Sequence, residues 1–252
     1  MTPLPTQAAT PQNHPPAMRV CPLRFVLLTL LFAGCVGWSV PEAIAQIPPT
    51  PGDIAHYKGL HAAAQQGDVA QIAALAAANA DVNARDAYGR TPLQVATFAR
   101  QRAAIRALFT AGADPALLEN DRYDAVTIAA VADDEETLRL LLAQGASARL
   151  VTSRYDGTAL IAAAHLGHDG VVKQLIAAGA PLDHVNNLHW TALIESIVLG
   201  NGGPRHVETL KALVAAGAST SLADRQGATP LALAKSRRYL EMVRILEQAG
   251  AK

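Results

Sequence analysis

The chain has 252 residues, a formal net charge of zero, 50% hydrophobic residues and only 4% aromatic residues. This neutrality argues against nucleic acid as a partner, because phosphate binding needs a clustered excess of lysine and arginine. Alanine recurs in doublets and triplets, which suits helices packed closely side by side and does not suit a sheet, where β-branched and aromatic residues are enriched. The composition therefore predicts a helical protein.

The first 45 residues are predicted to be a leader. Residues 1–17 are rich in proline, threonine and glutamine and carry no charged side chain, which predicts disorder or an over-long gene start. Residues 18–45 have the order of a secretory signal peptide: two arginines, an apolar run too short to span a bilayer comfortably, and a small-x-small motif. We therefore expect cleavage between Ala45 and Gln46, and a periplasmic mature chain without a membrane span.

A different processing of this leader remains open. The motif Phe-Ala-Gly-Cys that ends at Cys35 resembles a lipobox, and lipidation of Cys35 would make the protein an outer- or inner-membrane lipoprotein. Both cysteines, Cys21 and Cys35, precede the cleavage site expected after Ala45. Cleavage there would give a mature chain with no thiol, disulfide or cysteine-ligated metal.

Residues 46–53 are predicted to be a proline-rich linker.

From residue 54 onward the chain repeats itself. One marker is a Gly-Ala pair, with an Asn-Ala pair at Asn79 in the same role, and consecutive markers are 33, 33, 34, 38 and 33 residues apart. The Gly-Ala pairs begin at Gly112, Gly145, Gly179, Gly217 and Gly250. A second marker is threonine followed by proline or alanine and then leucine, and it begins at Thr91, Thr158, Thr191 and Thr229.

A period near 33 with Thr-Pro-Leu resembles the ankyrin-repeat family. The resemblance implies an all-α fold, an ankyrin-repeat α-solenoid of about six helix-turn-helix units with protruding finger loops, in a domain spanning 54–252. The units are expected at about 54–85, 86–118, 119–151, 152–185, 186–223 and 224–252. Their first helices are expected to begin near Leu60, Leu93, Val126, Leu160, Leu193 and Leu231. The first and third units lack the Thr-Pro pair.

Each marker has a physical role in such a unit. Threonine caps the first helix by accepting a hydrogen bond from a free backbone N–H, and Asp124 can replace it in the third unit. Proline fits the first helical turn, where its missing N–H costs nothing. Glycine, or Asn79 in the first unit, ends the second helix in the left-handed conformation. The Asp-x-x-Gly sequence at Asp86–Gly89 predicts the tight turn of a finger.

The resemblance implies binding of a protein partner by a monomer, through the concave face and the fingers. No motif of an enzyme, a cofactor site or a phosphate-binding loop is found in the sequence, so we expect no catalysis and no cofactor. His165 and His168 could lie on adjacent helical positions, but histidines at such places in this family more often serve hydrogen bonding. We therefore expect no metal site.

Aromatic residues mark the candidate binding surface. Five of the eight aromatic residues after residue 53 fall on finger positions, one in each of units one to five. Such rings are useful interface anchors, although they could instead pack on adjacent fingers and brace the array. These five are Tyr57, Tyr88, Tyr123, Tyr155 and Trp190. The polar residues predicted to complete the partner-binding surface are Arg90, Arg122, Arg154, Asp156, Asn187, His189 and Arg225.

The fifth unit departs most from the repeat. It has an insertion at about 201–206, between its two helices, and extra length in a repeat is expected to form a loop. Glu195 falls inside its packed first helix, and a carboxylate there needs a partner. Arg205, His206 or a neighbouring finger could supply that partner, and the sequence does not choose among them.

With its leader, the chain resembles bacterial exported ankyrin-repeat proteins. The resemblance implies a periplasmic scaffold that binds an unidentified protein of the cell envelope, as in supporting or protecting an envelope enzyme. Two alternatives remain. The same surface would serve an inhibitor or immunity protein that blocks a toxic enzyme, and a lipid anchor at Cys35 would suit a structural protein of the envelope.

Overall fold

The computed structural model describes residues 46–252. The predicted leader, including Ala45 and the candidate lipidation site Cys35, lies outside the described residues. Thirteen helices and one short hairpin make up the described part. The helices are α1 Pro51–His56, α2 Gly59–Gln66, α3 Val69–Ala77, α4 Pro92–Phe98, α5 Arg102–Thr110, α6 Ala125–Val131, α7 Glu135–Ala143, α8 Ala159–Leu166, α9 Asp169–Ala177, α10 Ala192–Val198, α11 Pro204–Ala215, α12 Pro230–Ser236 and α13 Leu240–Gln248. The antiparallel strands are β1 Val151–Thr152 and β2 Gly157–Thr158.

The helices from α2 to α13 form six consecutive pairs. Within each pair the two helices contact each other, while first helices contact first helices and second helices contact second helices of the adjacent units. Each first helix begins one residue before the leucine or valine that was expected to open it. The predicted solenoid of six helix-turn-helix units is therefore confirmed.

One continuous apolar core joins these units. Its fully buried side chains come from both helices of each pair, and they include Leu93, Leu108, Leu141, Leu160 and Leu193. A single pair of short helices could not bury its apolar faces alone, so stability lies in the interfaces between neighbouring units.

The helix ends follow the predicted chemistry. The hydroxyl of Thr158 accepts a hydrogen bond from the backbone N–H of Ile161, and the Asp124 carboxylate caps α6 in the same way. Asn79 adopts φ 59°, in the left-handed region that glycine adopts at the ends of later units. The roles assigned to these cap residues are therefore confirmed.

Two segments differ from expectation. The predicted linker is shortened because its last residues, Pro51 to Asp53, form the first turn of α1, where Thr50 and Asp53 make a capping box. The insertion at 201–206 is only partly a loop. Pro204 begins α11, which has 12 residues where the other second helices have nine. Proline at the first helical position is preorganised for the helix, so half of the inserted length extends a helix.

Residues 46–252 contain no helix whose length and hydrophobicity would suit it to crossing a bilayer.

Candidate functional site

The candidate site lies on the fingers and the adjoining first helices. In units two, three, five and six, the finger closes through a backbone hydrogen bond between two residues four apart, as from Asp86 N–H to the Arg90 carbonyl (3.0 Å). In every unit we call the residue three before the first-helix leucine or valine the base position, and the residue five before it the tip position; in these four units the base residue closes the finger. The base positions are Tyr57, Arg90, Tyr123, Gly157, Trp190 and Ala228. The tip positions of units two to six are Tyr88, Asp121, Tyr155, Leu188 and Gln226.

Consecutive fingers are joined by backbone hydrogen bonds. Asn120 donates to the carbonyl of Tyr88 (3.0 Å), Ser153 donates to that of Arg122 (2.8 Å), and Asn187 donates to that of Tyr155 (2.9 Å). The guanidinium of Arg225 extends the series by donating to the carbonyl of Asn187 (2.9 Å). The fingers of units two to six therefore form one connected surface, in which main-chain hydrogen bonds join units two to five and the Arg225 side chain joins unit six.

Tip aromatics are exposed on that surface. Tyr88 is 42% exposed and Tyr155 is 50% exposed, and within residues 46–252 neither hydroxyl makes a hydrogen bond. The Arg90 guanidinium carbon lies 4.4 Å from the centre of the Tyr88 ring, which is a cation–π distance. These two rings present the large amphipathic surface that suits an interface anchor.

Base aromatics are largely enclosed instead. Tyr123 is only 6% exposed, and the half-buried Tyr57 donates its hydroxyl proton to Asp86 (2.9 Å). Burial, followed by the hydrogen bond to Asp86, raises the pKa of Tyr57 above its usual value of 10. Of the finger rings, Tyr88 and Tyr155 at tip positions are therefore exposed, whereas Tyr57 and Tyr123 at base positions are enclosed.

Arg90, also predicted to belong to the partner-binding surface, is enclosed as well. Its side chain is 1% exposed, and its guanidinium donates to Asp86 (2.7 Å) and to Asp53 (3.1 Å). Burial raises the pKa of Asp86, but hydrogen bonds from the Arg90 backbone, the Arg90 guanidinium and Tyr57 outweigh it, so that the net pKa lies below 3.8. Besides stacking on Tyr88, Arg90 therefore links α1 to the second finger through its ion pairs with Asp53 and Asp86.

The remaining polar candidates are surface residues, and several bond one another. Arg122 pairs with Asp156 at 2.9 Å, both about half exposed, and the exposed Arg154 pairs with Asp121. The side-chain amide of Asn187 donates to the carbonyl of Arg154 (3.1 Å), while the His189 side chain is exposed.

Three of these residues adopt the left-handed backbone conformation. Arg122, Asp156 and His189 have φ of 68°, 51° and 64°, whereas the fingers of units two and six have Gly89 and Gly227 in that conformation. An L-residue there costs roughly 1–2 kcal/mol more than glycine. The central fingers therefore retain side chains at positions where glycine would be the less strained residue.

A cavity of about 530 Å³ opens between the third and fifth fingers. The base position of the fourth unit is Gly157, so no side chain fills the space that a tyrosine or tryptophan occupies in the adjacent units. The walls include Tyr123, Tyr155, Trp190 and His165, and the carboxylate of Glu195 also lines the space. We call this cavity the cleft.

Glu195 is the principal charged group enclosed in the cleft. It is 5% exposed, and its Oε1 accepts a hydrogen bond from the side-chain amide of Asn186 (2.8 Å). The Asn186 side-chain oxygen accepts from the backbone N–H groups of Leu188 and Trp190, at 3.0 Å each. The finger of the same unit thus supplies the partner. An aspartate at 186, the residue type that units two and six have at this position, would instead set two carboxylates against each other.

Arg205 and His206, the other partners considered for Glu195, are bound elsewhere. Arg205 pairs with Asp133 (2.8 Å) and Asp169 (3.3 Å). The His206 ring bonds the carbonyl of His165 (2.9 Å). Within residues 46–252, no group donates a hydrogen bond to Oε2 of Glu195, so this oxygen is left with unused acceptor capacity.

The nearest titratable neighbour of Glu195 is His165, whose Nδ1 lies 3.6 Å from Oε2. Burial raises the pKa of Glu195 to about 7, against a smaller opposing effect of Asn186. Burial, with contributions from His206 and His168, lowers the pKa of His165 below 6.5. Burial therefore favours the neutral form of both groups and opposes an ion pair between them.

Of the two histidines considered for metal binding, His165 lies beside Glu195, and only His168 bonds a backbone carbonyl. The His168 ring bonds the carbonyl of Ala130 (3.0 Å), and the His61 ring bonds that of Arg90 (2.9 Å). Among residues 46–252 no group of three potential metal ligands converges.

The cleft was not anticipated from the sequence. Two features of the sequence indicate it in retrospect. Gly157 occupies a base position between units that have large aromatic residues there, and Glu195 occupies a first-helix position that is apolar in the other units. The equivalent first-helix positions are Ala62, Val95, Ile128, Ala162 and Leu233.

Known proteins resemble this chain over most of its described length. A family model for ankyrin repeats matches residues 50–119, 126–220 and 171–252. The ankyrin repeat protein YahD of Escherichia coli (strain K12) is 35% identical over 190 residues, which cover 75% of this chain and 94% of that protein.

Solved structures share the fold. An ankyrin repeat domain from Acinetobacter baumannii is 42% identical with a TM-score of 0.72, covering 77% of this chain and 98% of that one. A chain in the complex of a predatory endopeptidase from Bdellovibrio bacteriovorus with an immunity protein is 25% identical with a TM-score of 0.59, covering 76% and 98%. With its six helix pairs, its fingers and the side-chain caps on the first helices of units two to six, this chain belongs to the ankyrin-repeat family.

Proposed function

We propose that this protein is a scaffold of the bacterial periplasm that binds a protein of the cell envelope through its fingers and the adjoining first helices. Ankyrin repeats are protein–protein interaction modules. The observation that carries the proposal for this chain is the exposure of Tyr88 and Tyr155 on fingers that the main chain already holds in place. Rigid, half-exposed rings lose little conformational freedom when a partner covers them.

The strained finger residues support the same surface. Left-handed backbone at a non-glycine residue recurs at functional sites, where the side chain is needed for another reason than stability. Arg122, Asp156 and His189 show this conformation in the three central fingers. Their side chains are the ones that a partner lying across the fingers would meet.

A capture experiment tests the finger surface. The chain is used to retrieve a partner from an envelope extract of the source organism, and the double variant Tyr88→Ala/Tyr155→Ala is compared with the unmodified chain. We expect the retrieved amount to fall at least tenfold, because anchor rings at an interface are worth about 2 kcal/mol or more each. The melting temperature is expected to change by no more than a few degrees, since both rings are half exposed.

The matched control removes two exposed apolar side chains from second helices, Val69→Ala and Leu240→Ala, which are 42% and 75% exposed. Retrieval should be unchanged in this control. Equal losses in both double variants, or retention of the partner by the finger variant, would contradict the proposed surface.

The periplasmic location rests on the leader, and it has its own test. Mass spectrometry of the exported protein should give a mature chain that begins at Gln46. A lipidated chain that begins at Cys35 would favour the envelope-anchored alternative, and an intact leader on the mature protein would remove the support for export.

An inhibitory role is the second candidate. It is favoured by the likeness to a chain in the endopeptidase–immunity protein complex. A purified partner enzyme that gains activity or lifetime with this protein would support the scaffold, whereas stoichiometric loss of its activity would support the inhibitor.

A further inference from the structure

The cleft combines a deficit of positive charge with aromatic walls. Glu195 is more than nine-tenths buried, and its Oε2 receives no hydrogen bond from residues 46–252. The arginine that lines the cleft, Arg154, pairs with Asp121 at the rim, and Arg205 pairs with Asp133 and Asp169. Among residues 46–252, the fully buried side-chain atoms that lack a hydrogen-bond partner do not include Oε2, so a donor that enters the cleft can reach this oxygen.

Among the described residues that precede α1, none donates a hydrogen bond to Glu195, whose donor is Asn186. Ile47 lines the same cleft and is about half exposed. Its side chain is a hydrocarbon, which can cover part of the mouth but cannot bond a carboxylate.

We propose that the cleft receives a basic side chain, arginine in preference to lysine, which the protein partner presents to it. A guanidinium is planar, stacks on aromatic faces such as those of Trp190 and Tyr155, and carries a fork of donors that matches a carboxylate. One N–H directed at Oε2 of Glu195 would make a charge-assisted hydrogen bond in an enclosed place. This inference rests on the proposed function, because it names the chemistry of the partner at that surface.

The volume of the cleft is large enough to hold an arginine side chain. A volume of about 530 Å³ falls within the range of pockets that enclose small groups. It exists because Gly157 and Ala162 face it with minimal side chains, between the larger Tyr123 and Trp190. Adding a Cβ at Gly157 would meet only side-chain atoms, the nearest being the Ser153 hydroxyl at 3.4 Å, so a larger residue can be introduced there to fill the cleft.

Binding of a cation should strengthen as pH rises. Burial holds the pKa of Glu195 at about 7, and a cation binds the ionised form, so affinity should increase about tenfold between pH 6 and pH 8. His165 is the nearest titratable group, and burial lowers its pKa. His206 and His168 are close enough to His165 to lower its pKa further.

The test uses the full chain and two blocked peptides, acetyl-Gly-Arg-Gly-amide and the same peptide with citrulline, which has the shape of arginine but no charge. The indole N–H signal of Trp190 reports binding by nuclear magnetic resonance. The chain has only one other tryptophan, Trp38, and Trp190→Phe identifies the signal. We expect the arginine peptide to bind at least tenfold more tightly than the citrulline peptide at pH 8.

Two variants locate the effect. Glu195→Gln keeps the shape of the side chain and should abolish the preference for arginine over citrulline. Gly157→Tyr restores the side chain that units one and three have at the base position, and it should abolish binding of both peptides. Because Glu195→Gln is conservative, it keeps the test valid if Gly157→Tyr fails to fold.

Several results would overturn the inference. These are equal affinity for the two peptides, an unchanged preference in Glu195→Gln, and tighter binding of free arginine than of the blocked peptide, which would indicate a small-molecule site. Binding that appears only in Ile47→Ala would make the chain's own segment the occupant. Since the titration requires no partner, its failure leaves the capture experiment standing, and failure of the capture experiment leaves the titration interpretable.

Discussion

Replacing Arg90 with alanine is expected to lower the free energy of unfolding by about 3 kcal/mol. Removing one member of a buried ion pair leaves the opposing charge uncompensated, which typically costs about 3–5 kcal/mol. Arg90 is 1% exposed and bonds both Asp86 and Asp53. We choose the lower end of that range because Asp53 is partly accessible to water, with a side-chain exposure of 20%. Urea denaturation at pH 7 measures the change.

The matched control is Arg122→Ala on the next finger. Arg122 also pairs with an aspartate, but both side chains are about half exposed, and such pairs contribute about 1 kcal/mol or less. If the two arginine variants lose equal stability, burial of Arg90 does not have the energetic effect assigned to it. The pKa of Asp86 lies below 3.8, so its contribution to stability should be lost as pH falls through that lowered pKa.

Replacing Glu195 with glutamine is expected to stabilise the protein at high pH. The pKa of this carboxyl is about 7 in the folded protein against 4.5 ordinarily, so the folded state holds the proton more tightly than the unfolded state. Rising pH between these values therefore destabilises the folded protein, by up to about 3 kcal/mol when complete. Glutamine carries no such penalty. Urea denaturation should show Glu195→Gln more stable by about 2–3 kcal/mol at pH 8, with the difference vanishing near pH 4.

Glu208→Gln on α11 is the control for this series, because Glu208 is about half exposed, with a side-chain exposure of 46%. It should change stability by less than about 0.5 kcal/mol at either pH. A stability difference for Glu195→Gln that does not depend on pH would show that the carboxylate already has a compensating cation. That result would also remove the ground for a basic side chain in the cleft.

Local signals in the sequence were sufficient for the fold. A capping threonine such as Thr158, a left-handed residue such as Asn79 and the turn at Asp86–Gly89 each act within a few residues of chain. Repetition of these signals at a period near 33 residues specifies the pairs of helices, and stacking of similar units follows from the apolar faces that they share.

The direction of the finger side chains was not available from the same signals. Tyr88 and Tyr123 are both aromatic finger residues, yet one is exposed and the other buried. The difference arises because the base residue closes the finger hydrogen bond and faces the first helices, whereas the tip residue lies in the turn. The position of each residue relative to the first-helix leucine or valine placed both on a finger, but it did not show which of them is exposed.

The sequence by itself determined the six-unit solenoid, its caps and the finger positions, because those depend on short-range chemistry repeated along the chain. Only the tertiary structure decided that Arg90 forms buried ion pairs with Asp53 and Asp86, and that Gly157 leaves a cleft beside Glu195. Those properties depend on side chains from adjacent units, roughly 33 residues apart, whose distances and burial are set when the units stack.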